Sequence, residues 1–216
     1  MREFFLFAGP NGSGKSTIIG SFVLESDIQY LNADYLARTD PEIAKMPEGR
    51  EKFIRAREGT ERQLKDMMSA GISFAWETVF SHESRLDIMK YAKKEGYSIY
   101  LTYITTKNPD INVERVHKRF LQGGHDVPED KIRGRYSRSV SFLPEMILAA
   151  DEVQVYDNSY DNTDPKRLFQ KLNNSEQDDE PEMIVWQTDD EEVSEWVMQY
   201  LINPLDKMGI PIQCYK

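Results

Sequence analysis

Three observations predict an α/β fold, a three-layer sandwich whose mostly parallel sheet carries helices on both faces and a helical lid segment. Short apolar runs alternate with helix-length amphipathic segments from the start of the chain, the rhythm of βαβ units. Glycines stand where those helical segments should stop, at Gly71 and Gly96. The octapeptide Gly9-Pro10-Asn11-Gly12-Ser13-Gly14-Lys15-Ser16 joins the first apolar run to the first helical one. It fits G-x-x-x-x-G-K-[ST] in the strand-to-helix context that pattern requires, so the sandwich is expected to be of the P-loop NTPase or kinase-like type.

The first strand is placed at Glu3 to Ala8, continuously apolar as a strand buried on both faces should be. A helix over Ser16 to Leu24 follows the loop, then a second strand at Ile28 to Asn32. Over 49–70, Phe53, Ala56, Leu64, Met67 and Met68 recur at helical spacing, and strand three runs from Ile72 to Thr78. A helix from Glu83 to Lys94 leads to strand four, Ser98 to Ile104, through a crossover that should be right-handed. Two basic helices come next: one over 112–121, broken by Gly123-Gly124-His125, and one opened by Pro128 and bent or interrupted at Pro144. Strand five is Glu152 to Tyr156. The C-terminal part reads as a hairpin of Arg167 to Leu172 with Met183 to Gln187, then a helix from about Asp190 to Leu201. The stretch 173–181 is polar enough to be disordered, and the last dozen residues show no element. Residues 1–160 are therefore read as the core, with a basic lid near 110–145, and 161–216 as an extension packed on the same domain.

Composition narrows the function. The 216 residues contain 27 Lys and Arg against 37 Asp and Glu, a net charge of −10, which argues against general nucleic-acid binding. Ten acids and no base lie between 176 and 195, so this segment equals the whole net charge and reads as solvated surface. Residues 113–138 instead carry seven bases and four acids, suited to a small anionic ligand. The N-terminal apolar run is too short for a membrane span or a signal peptide, giving the expectation of a cytoplasmic protein. One cysteine, Cys214, cannot form an internal disulfide, and His82, His117 and His125 lack metal-ligand spacing.

The loop sequence predicts ATP and Mg²⁺ binding. Glycines at Gly9, Gly12 and Gly14 let backbone N–H groups surround phosphates at a helix N-terminus, Lys15 reaches the β and γ phosphates, and Ser16 holds the metal, with Pro10, Asn11, Ser13 and Thr17 completing the loop. Asp34 stands just beyond strand two at the carboxyl edge of the sheet, where ligands bind. It is a candidate base for an acceptor hydroxyl, whose proton leaves late in phosphoryl transfer, or else a helix cap. Glu77 ends strand three at the same edge, supported by Thr78, and is read either as a substrate contact or as holding a magnesium-bound water. Arg119, Arg133, Arg135 and Arg138 flank the glycine break, where guanidinium groups could spread donors over a transferring phosphoryl group. Asn158, in a turn after strand five, is a candidate contact for the nucleotide end, and His125 reads as a hinge residue. Together these residues point to a kinase of a small hydroxyl-bearing metabolite. An ATP-binding switch or transporter-type ATPase is the alternative, echoed by Leu121-Gln122-Gly123-Gly124-His125, and a polynucleotide kinase is a third.

GPNGSGKST (9–17), NAD (32–34), WETVFS (76–81), RVHKRFLQGGHDVPEDKIRGRYSRS (115–139) and VYDNS (155–159) occur in this order over residues 1–160. The combined pattern resembles the zeta toxin family of P-loop small-molecule kinases. The resemblance implies ATP-dependent phosphorylation of a hydroxyl on a nucleotide sugar, with UDP-N-acetylglucosamine the best-known acceptor, and other nucleotides or nucleoside cofactors as related ones. It also implies a partner antitoxin. Carried over, Lys15 and Ser16 handle phosphates and Mg²⁺, Asp34 is the base, Glu77 contacts substrate, Arg119 and Arg133 stabilise charge, and Asn158 meets the nucleotide; Thr78 and Arg135 are added as substrate-side candidates from their place beside Glu77 and in the basic segment.

Overall fold

The computed structural model describes residues 1–25, 27–124, 127–172, 184–188 and 193–214. Strand β1 (Glu3–Ala8) places Phe4, Leu6 and Ala8 on one face and Phe5 and Phe7 on the other, as a period of two demands. It lies between β3 (Phe74–Thr78) and β4 (Ser98–Thr105), parallel to both. With β2 (Gln29–Leu31) and β5 (Glu152–Asp157) outside them, the five parallel strands run in the order β2-β3-β1-β4-β5. Three more strands extend the β5 side: β6 (Lys166–Leu172) and β7 (Ile184–Gln187), each antiparallel to its predecessor, and β8 (Ile212–Cys214), parallel to β7.

The larger core covers the Phe4 face. It is built from Phe74, Trp76, Ile99, Leu101 and Val155 of the sheet against Leu64 and Met68 of α3 (Arg50–Ala70), Met89 of α4 (Ser84–Lys94) and Met146 of α7 (Leu143–Ala149). Burying one such aromatic or aliphatic side chain contributes about 1.5–3 kcal/mol. On the opposite face, Ile19 of α1 (Lys15–Glu25) packs on Phe7 and Ala75. Helices α5 (Pro109–Leu121) and α6 (Glu129–Ser141) lie against each other, and α6 joins the larger core through Tyr136 and Val140. Gly71 closes α3 with φ of 69°, the left-handed conformation that a residue without Cβ adopts freely.

Several elements depart from the sequence-based expectation. A seven-residue helix, α2 (Ala33–Thr39), follows β2, with Asn32 rather than Asp34 as its cap. The last residues, expected to be without structure, contain β8. The C-terminal helix runs past Leu201: α8 (Glu195–Val197), a π-turn at Met198–Ile202 and α9 (Asn203–Lys207). Pro204 cannot donate to the preceding turn, and the wide π-turn absorbs that interruption. Trp196 Nε1 donates to the Tyr136 hydroxyl at 3.1 Å, which donates to the Thr106 carbonyl at 2.6 Å, so the C-terminal helix reaches through α6 to the end of β4. The segment 173–181 and His125 lie outside the described residues, as does most of the acidic run. Among the described residues no helix is long and apolar enough to cross a membrane.

Candidate functional site

The loop between β1 and α1 sits at the carboxyl edge of the sheet, at the point where the chain leaves β1 with neighbours on either side. Its shape depends on missing side chains. A Cβ on Gly9 (φ +146°) would stand 2.0 Å from the Ile104 carbonyl oxygen, and one on Gly14 (φ +89°) 2.1 Å from Asn158 Nδ2. Inside the loop Ser13 N donates to the Pro10 carbonyl at 3.3 Å, and Thr17 N to the Gly14 carbonyl at 3.2 Å. The loop is fastened from outside as well. Fully buried Asn112 of α5 donates to the Asn11 carbonyl at 2.6 Å, Asn158 Nδ2 donates to the Ser13 carbonyl at 2.9 Å, and Arg135 Nη1 donates to Asn11 Oδ1 at 3.2 Å.

The loop fits a nucleoside triphosphate. Ser13 Oγ is buried and has no hydrogen-bond partner among the described residues, leaving in the loop an unmet donor of the kind a bound group can satisfy. Lys15 is buried, its ammonium folded onto the Gly9 and Pro10 carbonyls at 2.8 Å each. Burial lowers its pKa to about 8, against the raising influence of Glu77 and Asp34. The unfolded chain holds that proton to higher pH, so the folded state binds fewer protons between these values, and the Lys15 contribution makes stability rise with pH across that window. Phosphates favour the ammonium, so nucleotide binding is expected to take up protons above about pH 8 and to weaken as pH rises toward about 9. Calorimetry of ATP binding in buffers of different ionisation enthalpy checks this; affinity and proton balance constant over that range would mean that Lys15 is already charged without nucleotide.

Glu77 is buried at the end of β3 and points to the α1 face. Its Oε1 accepts from Ser16 Oγ at 3.2 Å, and its Oε2 from Asn32 Nδ2 at 2.8 Å and from the Tyr30 hydroxyl. Burial, then the Glu77 carboxylate, pushes the Tyr30 hydroxyl well above its ordinary pKa, so it remains a donor. The Thr78 hydroxyl accepts from Phe80 N at 3.5 Å in the turn that follows. Asp34 is exposed in the first turn of α2, and its charge is felt at Lys15, Tyr30 and Arg135.

The four arginines separate. Arg135 is half-buried beside the loop, its guanidinium over the Phe53 ring at 6.0 Å; burial and Arg138 draw its pKa down while Asp34 opposes them. Arg138 Nε donates to the Ser81 carbonyl at 3.2 Å. Arg119 is exposed at the end of α5, with its charge felt at Lys15. Arg133 is engaged in ion pairs with Asp110 at 2.7 Å and Glu129 at 2.8 Å.

Beyond Asn158, a cavity of about 490 Å³ opens beside Gly14 and Thr17, walled by Arg115, Tyr160 and Asp161. Arg115 donates to the Asn158 carbonyl and to Asp161, each at 2.6 Å. Tyr30, Asn32, Asn112 and Arg115 were not singled out from sequence as parts of this site. Tyr30 reaches the site through strand register, pairing with Ala75, two residues before Glu77 on the same face.

Five parallel strands in this order, with a phosphate-type loop after the central one, define a P-loop kinase-like fold. Residues 4–138 match the AAA_33 family, described as an AAA domain, and the chain belongs to that family. A protein of Haemophilus influenzae described as uncharacterized is 30% identical over 139 residues, 62% of this chain and 93% of its own. Among solved structures, the PezAT chromosomal toxin-antitoxin system of Streptococcus pneumoniae matches with a TM-score of 0.58 at 17% identity, over 73% of this chain and 68% of that one. The AvrRxo1-ORF1:-ORF2 complex with ATP matches with a TM-score of 0.60 at 12% identity, over 80% of this chain and 59% of that one. A putative kinase of Chloroflexus aurantiacus matches at 0.51 and 16%, over 64% and 80%. At these identities the likeness is one of fold.

Proposed function

We propose that the protein is an ATP-dependent kinase that phosphorylates a hydroxyl of a small metabolite, with a nucleotide sugar such as UDP-N-acetylglucosamine as the leading acceptor. The observation that carries the reading is geometric: Lys15 lies in the loop, Glu77 accepts from its Ser16, Arg135 donates to its Asn11, and the Asp34 charge acts on both Lys15 and Arg135. A base, a phosphate-binding cation and an arginine donor within one cleft are what hydroxyl phosphorylation needs. The fold shared with a toxin-antitoxin protein and a putative kinase supports the class, and the former motivates a cognate antitoxin as partner.

Lys15, the Ser13 hydroxyl and the loop N–H groups would hold the phosphates, Ser16 with Glu77 the magnesium, and Asn158 and the neighbouring cavity the nucleoside end. Bound MgATP supplies the transferable phosphoryl group and neutralises part of its charge. Asp34 orients the acceptor hydroxyl and takes its proton as the oxygen bonds to phosphorus and ADP departs. Glu77 is confined by its three donors, which favours the metal role over direct substrate contact. Arg119 and Arg135 stabilise the charge that moves toward the leaving group.

Arg133 tests how the lid helices work. Arg135→Ala is expected to lower kcat/KM by about 100-fold or more, whereas Arg133→Ala, which removes two partly exposed ion pairs, to Asp110 and Glu129, should change it by less than about fivefold. Steady-state kinetics decides, and the reverse ranking would return the stabilising role to Arg133 in a rearranged lid. The reading as a whole is tested by transfer from γ-labelled ATP with Mg²⁺ into UDP-sugars, nucleosides and dinucleotides, with Lys15→Ala as control. Label in an acceptor that depends on Lys15 is the expected result; tight ATP binding with no labelled acceptor would favour a nucleotide-driven switch.

A further inference from the structure

Tyr30 and Asn32 take no part in the reaction above, yet they hold one of its carboxylates. Both of their donors reach the same oxygen, Glu77 Oε2, and Asn32 Nδ2 also lies 3.0 Å from the Tyr30 hydroxyl, closing a triangle. With that oxygen occupied, Oε1 is the one left facing Ser16. The other end of the Asn32 amide does different work: Oδ1 accepts from Asp34 N at 2.7 Å and Tyr35 N at 3.2 Å, capping α2. An asparagine amide is suited to this because it carries donors and an acceptor on one planar group. Aspartate would cap as well but would set a carboxylate against Glu77. Serine keeps a cap oxygen and offers nothing that spans to Oε2.

We infer that Asn32, backed by Tyr30, is a positioning residue: its amide clamps Glu77 with Oε1 turned toward Ser16 and at the same time sets the start of α2, fixing the spacing between the metal-side carboxylate and Asp34. The link to Asp34 rests on the kinase reading; the clamp on Glu77 concerns MgATP binding and does not need an acceptor. Outer groups that orient a metal-side carboxylate typically change metal affinity or activity by about 10–100-fold when removed.

The test uses the full chain with Asn32→Ser, Tyr30→Phe, Glu77→Gln and the Asn32→Ser/Glu77→Gln double variant, and reads ATP affinity by calorimetry as a function of Mg²⁺. The Mg²⁺ concentration for half-maximal enhancement should rise about tenfold in Asn32→Ser and by less in Tyr30→Phe. The double variant should be no worse than Glu77→Gln alone, because the two residues act through one contact. With an identified acceptor, kcat should fall in Asn32→Ser while acceptor KM stays within about threefold. Additive effects in the cycle, or an unchanged Mg²⁺ dependence in folded Asn32→Ser, would overturn the inference. Should Asn32→Ser fail to fold, Tyr30→Phe leaves the cap intact, and an unchanged Mg²⁺ dependence there would overturn it equally. Coupling without any labelled acceptor would sustain the Glu77 clamp and remove the kinase reading, whereas a labelled acceptor with an additive cycle would remove the clamp alone.

Discussion

Asp34→Asn is expected to lower phosphoryl transfer by about 10²–10⁴-fold while ATP affinity stays within about threefold. The substitution is nearly isosteric at an exposed position, and the backbone N–H that binds Asn32 Oδ1 is unchanged. What it removes is the proposed proton acceptor and one negative charge in the first turn of α2, where loss of an acid costs about 0.3–1 kcal/mol of helix stabilisation. It also removes one of the charges that raise the pKa of Lys15, so any small loss of ATP affinity should grow with pH. Single-turnover transfer beside calorimetric ATP titration separates the two effects. Full transfer by the folded variant would take the base role away from Asp34.

Gly9→Ala is expected to abolish measurable ATP binding and to lower the melting temperature by roughly 10 °C. The added Cβ would meet backbone, 2.0 Å from the Ile104 carbonyl oxygen, and that carbonyl belongs to a strand held on both sides by β1 and β5. The conformation at Gly9 is moreover one that side-chain-bearing residues rarely adopt. Strain of this kind costs on the order of 3 kcal/mol, worth roughly 2–4 °C per kcal/mol in a chain of this size. Gly20→Ala is the control, since nothing among the described residues lies within 4 Å of its Cβ position, and a helical alanine should stabilise by about 0.5–1 kcal/mol. Thermal melts and ATP titration of the two variants give the contrast; a Gly9→Ala protein with native melting and binding would mean the loop can move away from β4.

The loop, the five parallel strands and the close of α3 were legible because each rests on a local signal: a glycine where no Cβ fits, an apolar run, a left-handed stop. Helix α2 offered only a capping residue, read at Asp34 where the structure has Asn32. It has no fully buried residue, so no apolar period betrays it, and it is held by the Asn32 cap and by Leu36 lying against Gly59 of α3. Strand β8 spans three residues and exists through its pairing with β7. The arginines illustrate a subtler limit. Ile132, Tyr136 and Val140 mark the buried stripe of α6, and Arg133 and Arg135 flank that stripe on opposite sides. Which flank meets the loop depends on how α6 sits against α5, and that is a tertiary fact. Likewise Glu77 was readable as an edge carboxylate, but its donors Tyr30 and Asn32 come into view only through the register of β2 on β3.

The two outermost strands of the sheet, β2 and β8, are each three residues long. A strand that short offers few unpaired N–H and C=O groups to an incoming chain, so the sheet is poorly suited to recruit foreign strands or to polymerise margin to margin. Without β6–β8, the exposed margin would be the six-residue β5, with Val153 and Val155 along it, a far better template for self-association. The C-terminal strands therefore act as a guard against aggregation at the end of the sheet opposite β2 and Asp34, away from the candidate site.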